Sequence, residues 1–99
     1  MEIEERTLSY EQFMKGVSKG GILVDIREEE QTRFGTIPRA VTIPALQPQK
    51  LYQLPEDKKI FLYCQKGEIS AEILELMLDG GYDAYQLEGG YGTYLKNML

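Results

Sequence analysis

The stretch KIFLYCQKGEIS, Lys59 to Ser70, decides how this chain is read. Its first half is a short run of apolar, strand-favouring residues on consecutive positions, the pattern of a strand covered on both faces. Its second half is polar, contains Gly67, and leads into a segment where Ile73, Leu74, Met77 and Leu78 form an apolar helical stripe. Cys64, the only cysteine, lies where the two halves meet. A buried strand that turns into an amphipathic helix is the repeating unit of a parallel α/β sheet, whose functional loops gather at the carboxyl ends of the strands.

The flanking sequence repeats this alternation. Ser9 to Gln12 reads as a capping box with Leu8 and Phe13 placed as a hydrophobic staple, and Phe13, Met14 and Val17 continue at helical spacing to Gly20 and Gly21. ILVDIR at 22–27 is a second buried strand, and the acidic residues 28–30 open a short helix. VTIP at 41–44 is a small strand, and Leu46 to Leu54 a brief helical or turn-rich connection. The helix that begins near Ser70 ends at Gly80 and Gly81, where a left-handed cap needs no Cβ. AYQL at 84–87 is the last strand, and Tyr91 to Leu99 a terminal helix with Tyr94, Leu95 and Met98 facing inward. The fold class is α/β, with a mainly parallel sheet covered on both sides.

With 99 residues the chain is read as one domain spanning 1–99. A composition of 42% hydrophobic and 27% charged residues is that of an ordinary soluble globular protein. The net charge of −5, with basic residues scattered along the chain, argues against nucleic acid and against an anionic membrane surface. No apolar run approaches a membrane span, and MEIEER is acidic where a signal peptide would be basic, so the expected location is cytoplasmic. A single cysteine cannot close an internal disulfide, which suits a reducing compartment. The absence of histidine removes the usual general base and the commonest metal ligand, and no metal or cofactor is expected. EGGYG at 88–92 lacks the spacing of a dinucleotide fingerprint and reads as a tight turn, near the loop that follows Cys64.

Cys64 admits two readings. In one it is a small apolar residue that ends a strand. In the other, the backbone N–H groups of Gln65, Lys66, Gly67, Glu68, Ile69 and Ser70 curl around the sulfur, with Gly67 supplying the positive φ that the curl needs. Converging N–H groups and the positive end of a helix dipole favour a thiolate. Lys66 adds positive charge, and Glu68 opposes it. The polar, glycine-containing loop favours the reactive reading, because an inert core cysteine has no need of it. Asp25 and Arg27, taken from composition alone, are a helix-entry charge and a surface ion pair. Tyr82, Tyr85, Tyr91 and Tyr94 are either a partner surface or packing, and Met77 and Met98 are core fillers.

Three stretches, ILVDIREEEQTRFGTIPRAVTIP, IFLYCQKGEIS and GGYDAYQLEGGYGTYL, together resemble the signatures of a single-domain rhodanese-like sulfurtransferase, from about residue 7 to residue 98. The resemblance implies a three-layer α/β/α fold around a five-stranded, mainly parallel sheet. It implies that Cys64 carries sulfane sulfur as a persulfide, taken from a persulfide or other sulfane-sulfur donor and passed to a thiol acceptor, either partner small or protein-borne. Residues 65–70 become the cradle of the active loop, and Asp25 and Arg27 its supports. Two positions depart from the family pattern: Thr36 stands where histidine is common, and Ile69 where arginine commonly closes the loop. An arginine fork would help hold an anionic donor, so Ile69 beside Glu68 predicts weak thiosulfate activity. Phosphatases of related architecture need a longer loop and a clamping arginine, which argues against that activity. The alternative is a catalytically silent rhodanese-like module that binds or regulates.

Overall fold

The computed structural model describes residues 2–99. A short helix α1 (Glu2–Glu5) and strand β1 (Thr7–Leu8) precede α2 (Tyr10–Ser18), β2 (Ile22–Asp25), α3 (Glu29–Thr32) and β3 (Val41–Thr42). A 3-10 helix (Pro48–Gln53) leads to β4 (Ile60–Tyr63), α4 (Glu68–Asp79), β5 (Ala84–Leu87) and α5 (Gly90–Asn97). The five strands form one sheet in the order β1-β5-β4-β2-β3, and every pairing is parallel. The expected α/β architecture with a five-stranded sheet is what the chain adopts.

Strand β4 is buried along its whole length and divides its side chains between two cores. Ile60 and Leu62 pack with Val24, Leu51, Leu74 and Met77 on the face covered by α4. Phe61 and Tyr63 pack with Phe13, Leu23, Leu87 and Tyr94 on the face covered by α2 and α5. Because side chains alternate across a strand, the next residue, Cys64, returns to the α4 side, while Tyr63 points away from it. The capping box is present: the Ser9 hydroxyl accepts the Gln12 N–H at 3.3 Å, and the Gln12 side chain accepts the Ser9 N–H at 3.2 Å.

Several boundaries differ from the sequence reading. Strand β2 stops at Asp25 because the Asp25 carboxylate captures the Arg27 N–H at 2.9 Å and bends the chain out of the ladder. Helix α4 begins at Glu68, two residues before Ser70, since Gly67 at φ 96° makes the turn and leaves Glu68 already helical. Strand β3 is limited to two exposed residues at the sheet edge. On α5 only Tyr94 is inward as expected; Leu95 and Met98 are 45% and 60% exposed. Leu95 lies a third of a turn around from Tyr94, and Met98 falls beyond the last helical residue. The elements α1 and β1 have no counterpart in the periodicity, although β1 supplies the fifth strand by pairing Thr7 with Gln86 and Leu8 with Leu87.

Candidate active site

Gly67 occupies the N-cap position of α4 and has no side chain with which to cap it. The sulfur of Cys64 takes that part: it accepts the N–H of Ser70, the third helical residue, at 3.3 Å and the N–H of Gly67 at 3.1 Å. The three-residue loop 65–67 is thus wrapped on the sulfur, and the positive φ expected of Gly67 is observed. Of the six N–H groups expected to form the cradle, these two bond to sulfur. Gln65, Lys66, Glu68 and Ile69 are placed otherwise: Gln65 by its side chain, the other three exposed around the loop. Cys64 itself is 3% exposed.

A shallow pocket of about 210 Å³ opens over the cysteine, lined by Gln31, Gln65, Lys66, Glu68 and Ile69. Gln31 comes from α3, and nothing in the spacing of the sequence connects it to Cys64. Ile69 stands on the rim, half exposed, so the pocket holds one lysine, one glutamate and no arginine. Among the described residues no group of three potential ligands is placed to hold a metal ion. No helix among them is long and apolar enough to cross a membrane.

Beneath the sulfur, a chain of polar side chains runs through the core. Cys64 Sγ lies 3.3 Å from Ser70 Oγ, which donates to Gln86 Oε1 at 2.6 Å. Gln86 Nε2 donates to Thr7 Oγ1 at 2.9 Å, and Thr7 donates to the Ile3 carbonyl at 2.7 Å. Gln86 and Thr7 were not singled out by the sequence: a glutamine in a four-residue strand and a threonine at an edge carry no motif.

Asp25 and Arg27 are not a surface pair. They are 0% and 4% exposed, and Arg27 meets Asp25 through Nε at 3.1 Å and through Nη2 at 2.9 Å. Neither touches the sulfur; they hold what surrounds it. Arg27 Nη1 donates to Gln65 Oε1 at 3.1 Å, Nη2 donates to the Gly35 carbonyl at 2.6 Å, and the guanidinium lies 3.9 Å over the Tyr91 ring. Tyr63 donates to Asp25 Oδ2 at 2.7 Å and accepts the Ile37 N–H at 3.0 Å. Burial first, and then the bond to Asp25, push the Tyr63 phenol well above its ordinary range. Burial works against the Arg27 charge, but the hydrogen bonds and charge of Asp25 outweigh it and strengthen the cation.

The turn at Gly89 and Gly90 docks on the Cys64 loop from the other side. The Tyr91 N–H donates to the Cys64 carbonyl at 2.8 Å and the Gly92 N–H to the Gln65 carbonyl at 3.4 Å, so loop carbonyls satisfy the free donors at the start of α5. EGGYG is the tight turn that its sequence suggested, and it lies beside the loop that follows Cys64. The basic residues are less scattered than the sequence implied. Lys15, Lys19, Lys58 and Lys59 surround a groove of about 600 Å³ floored by Phe61 and Tyr85, at the opposite end of the sheet from Cys64.

Residues 9–97 match the rhodanese-like domain family. The chain is 29% identical over 95 residues to the tRNA sulfurtransferase of Desulfurococcus amylolyticus, covering 96% of this chain and 19% of that protein. It spans about a fifth of that relative's length. It is 32% identical over 80 residues to a sulfurtransferase of Allochromatium vinosum, covering 79% of this chain and 75% of that one. The crystal structure of a rhodanese-related protein from Thermoplasma volcanium superposes with a TM-score of 0.86 at 26% identity, over 93% of this chain and 92% of that one.

Proposed function

The chain belongs to the rhodanese-like domain family, and from that premise we propose that it is a sulfurtransferase that moves sulfane sulfur through a persulfide on Cys64. The observation that carries this reading is the sulfur held by the N–H groups of Gly67 and Ser70 at the floor of an open pocket. The Cys64 thiolate attacks the outer sulfur of a donor persulfide, RS–SH; the donor S–S bond breaks, RS⁻ leaves, and Cys64–S–SH remains. An acceptor thiolate then attacks that outer sulfur, forms its own S–S bond, and returns Cys64 as thiolate. No step needs a histidine, since sulfur is both nucleophile and leaving group and the two N–H donors steady its charge. Asp25 and Arg27 support the site at one remove, by fixing Gln65 and Tyr91.

Incubation with a persulfide donor, followed by intact-mass analysis, is expected to add one sulfur atom to the parent chain and none to Cys64→Ser. No addition to the parent, or equal addition to the variant, overturns the reading and leaves the silent binding module in its place.

Thiosulfate is a poorer donor on this reading. Its outer sulfur would be attacked as sulfite departs, and the pocket must hold a dianion next to Glu68 with only Lys66 to offset the charge. Ile69→Arg places a guanidinium on the pocket rim, where charge-assisted hydrogen bonds are worth about 1.5–3 kcal/mol. Thiosulfate:cyanide sulfur transfer by that variant is expected to rise by roughly tenfold or more. An unchanged rate would locate the deficit elsewhere than position 69.

A further inference from the structure

The polar chain under Cys64 has a direction that one atom fixes. The Ile3 carbonyl can only accept, so the single Thr7 proton must go to it. Thr7 Oγ1 therefore offers Gln86 a lone pair, which requires the Gln86 amide nitrogen to face Thr7 and its oxygen to face Ser70. Ser70 has one proton, and at 2.6 Å it is committed to Gln86 Oε1. What Ser70 presents to the sulfur 3.3 Å away is then a lone pair, and the sulfur has to be the donor.

We infer that Gln86 is a positioning residue for Cys64: by holding the Ser70 hydroxyl proton, it makes Ser70 a hydrogen-bond acceptor toward the cysteine sulfur and withholds a third donor from it. Two opposed sets of groups meet at the sulfur. The N–H groups of Gly67 and Ser70 favour the thiolate, and the Ser70 oxygen favours the thiol. Ser70 could turn its proton to a thiolate only by leaving Gln86 Oε1 without a donor, and Gln86 is 4% exposed, where an unpaired carbonyl is costly. The relay thus restrains the thiol. Its anchor is the α1–β1 segment, which gives that otherwise marginal N-terminal edge a part in setting reactivity.

The inference rests on Cys64 being the reacting group of the proposed function, but its test needs no sulfur donor, so failure of persulfide uptake and failure of this test are separate results. Alkylation by iodoacetamide follows the thiolate fraction. Gln86→Met keeps the length of the side chain and removes the acceptor, which frees the Ser70 hydroxyl to donate to sulfur. The alkylation rate at pH 7 is expected to rise roughly threefold to tenfold, while the limiting rate at high pH stays unchanged. Thr7→Val, isosteric and at the sheet edge, lets the Gln86 amide invert and should act in the same direction; it carries the test if Gln86→Met does not fold. In a Ser70→Ala background neither substitution should change the rate. The inference is overturned by no rise at pH 7, by an equal rise at every pH, which marks looser packing, or by a rise that persists without the Ser70 hydroxyl.

Discussion

Asp25→Ala is expected to lower the free energy of unfolding by about 3–5 kcal/mol, the cost of leaving a buried charge without its partner. The carboxylate is fully buried and accepts from the Arg27 side chain and backbone and from the Tyr63 hydroxyl. Without it, Arg27 keeps the Gln65 and Gly35 oxygens and the Tyr91 ring, none of which carries a full negative charge. Tyr63, buried and already accepting from Ile37, loses the acceptor of its own proton. The turn that ends β2 also loses its closing bond. Urea denaturation of parent and variant measures the difference. A loss below about 1 kcal/mol, the range of an exposed pair, would show that the site compensates Arg27 without Asp25. The cost should reach the active loop as well, because the guanidinium that Asp25 fixes also holds Gln65, the residue after the cysteine.

The parts of this architecture that were legible in the sequence are those written in periodicity and capping. Ile60 to Tyr63 had to be buried on both faces because all four are apolar or aromatic in succession, and Ser9 with Gln12 could satisfy each other only at a helix start. Gly67 was legible because a loop whose N–H groups curl back onto the cysteine that begins it calls for a left-handed φ, which glycine adopts without a Cβ clash. The illegible parts are contacts between elements distant in sequence. Gln86 reaches Cys64 through a serine sixteen residues before it and is anchored by a threonine seventy-nine residues before it. Gln31 reaches the pocket only because β2 and β4 are neighbours. The pair Asp25 and Arg27 looked like surface charge because composition counts charges without saying what covers them; its burial is a property of the sheet order. The early start of α4 has a similar cause, since the Cys64 sulfur provides the cap that a Ser or Asp would otherwise announce in the sequence.

Gly90→Ala should be among the most damaging single changes at a glycine, for two reasons that add. Gly90 has φ 63°, a left-handed conformation that costs an L-residue about 1–2 kcal/mol. A Cβ there would also lie 2.4 Å from the Cys64 carbonyl oxygen and 2.8 Å from the carbonyl carbon and oxygen of Gln65. All three are backbone atoms of the active loop, so no side chain can rotate away; either the loop or the start of α5 must move. Overpacking of this kind typically costs about 1–3 kcal/mol, which gives roughly 2–5 kcal/mol for the substitution as a whole. Movement at this point lengthens the bonds from Tyr91 to the Cys64 carbonyl and from Gly92 to the Gln65 carbonyl, and with them the seat of the cysteine. Sulfur uptake by Cys64 should fall alongside stability. Gly81→Ala separates the two causes: Gly81 has φ 89° but meets nothing within 4 Å of its Cβ position, so it should show the conformational cost alone, with sulfur uptake unchanged. Equal losses of stability at the two positions would mean that the loop yields freely, and that contact with Gly90 does not fix the placement of Cys64.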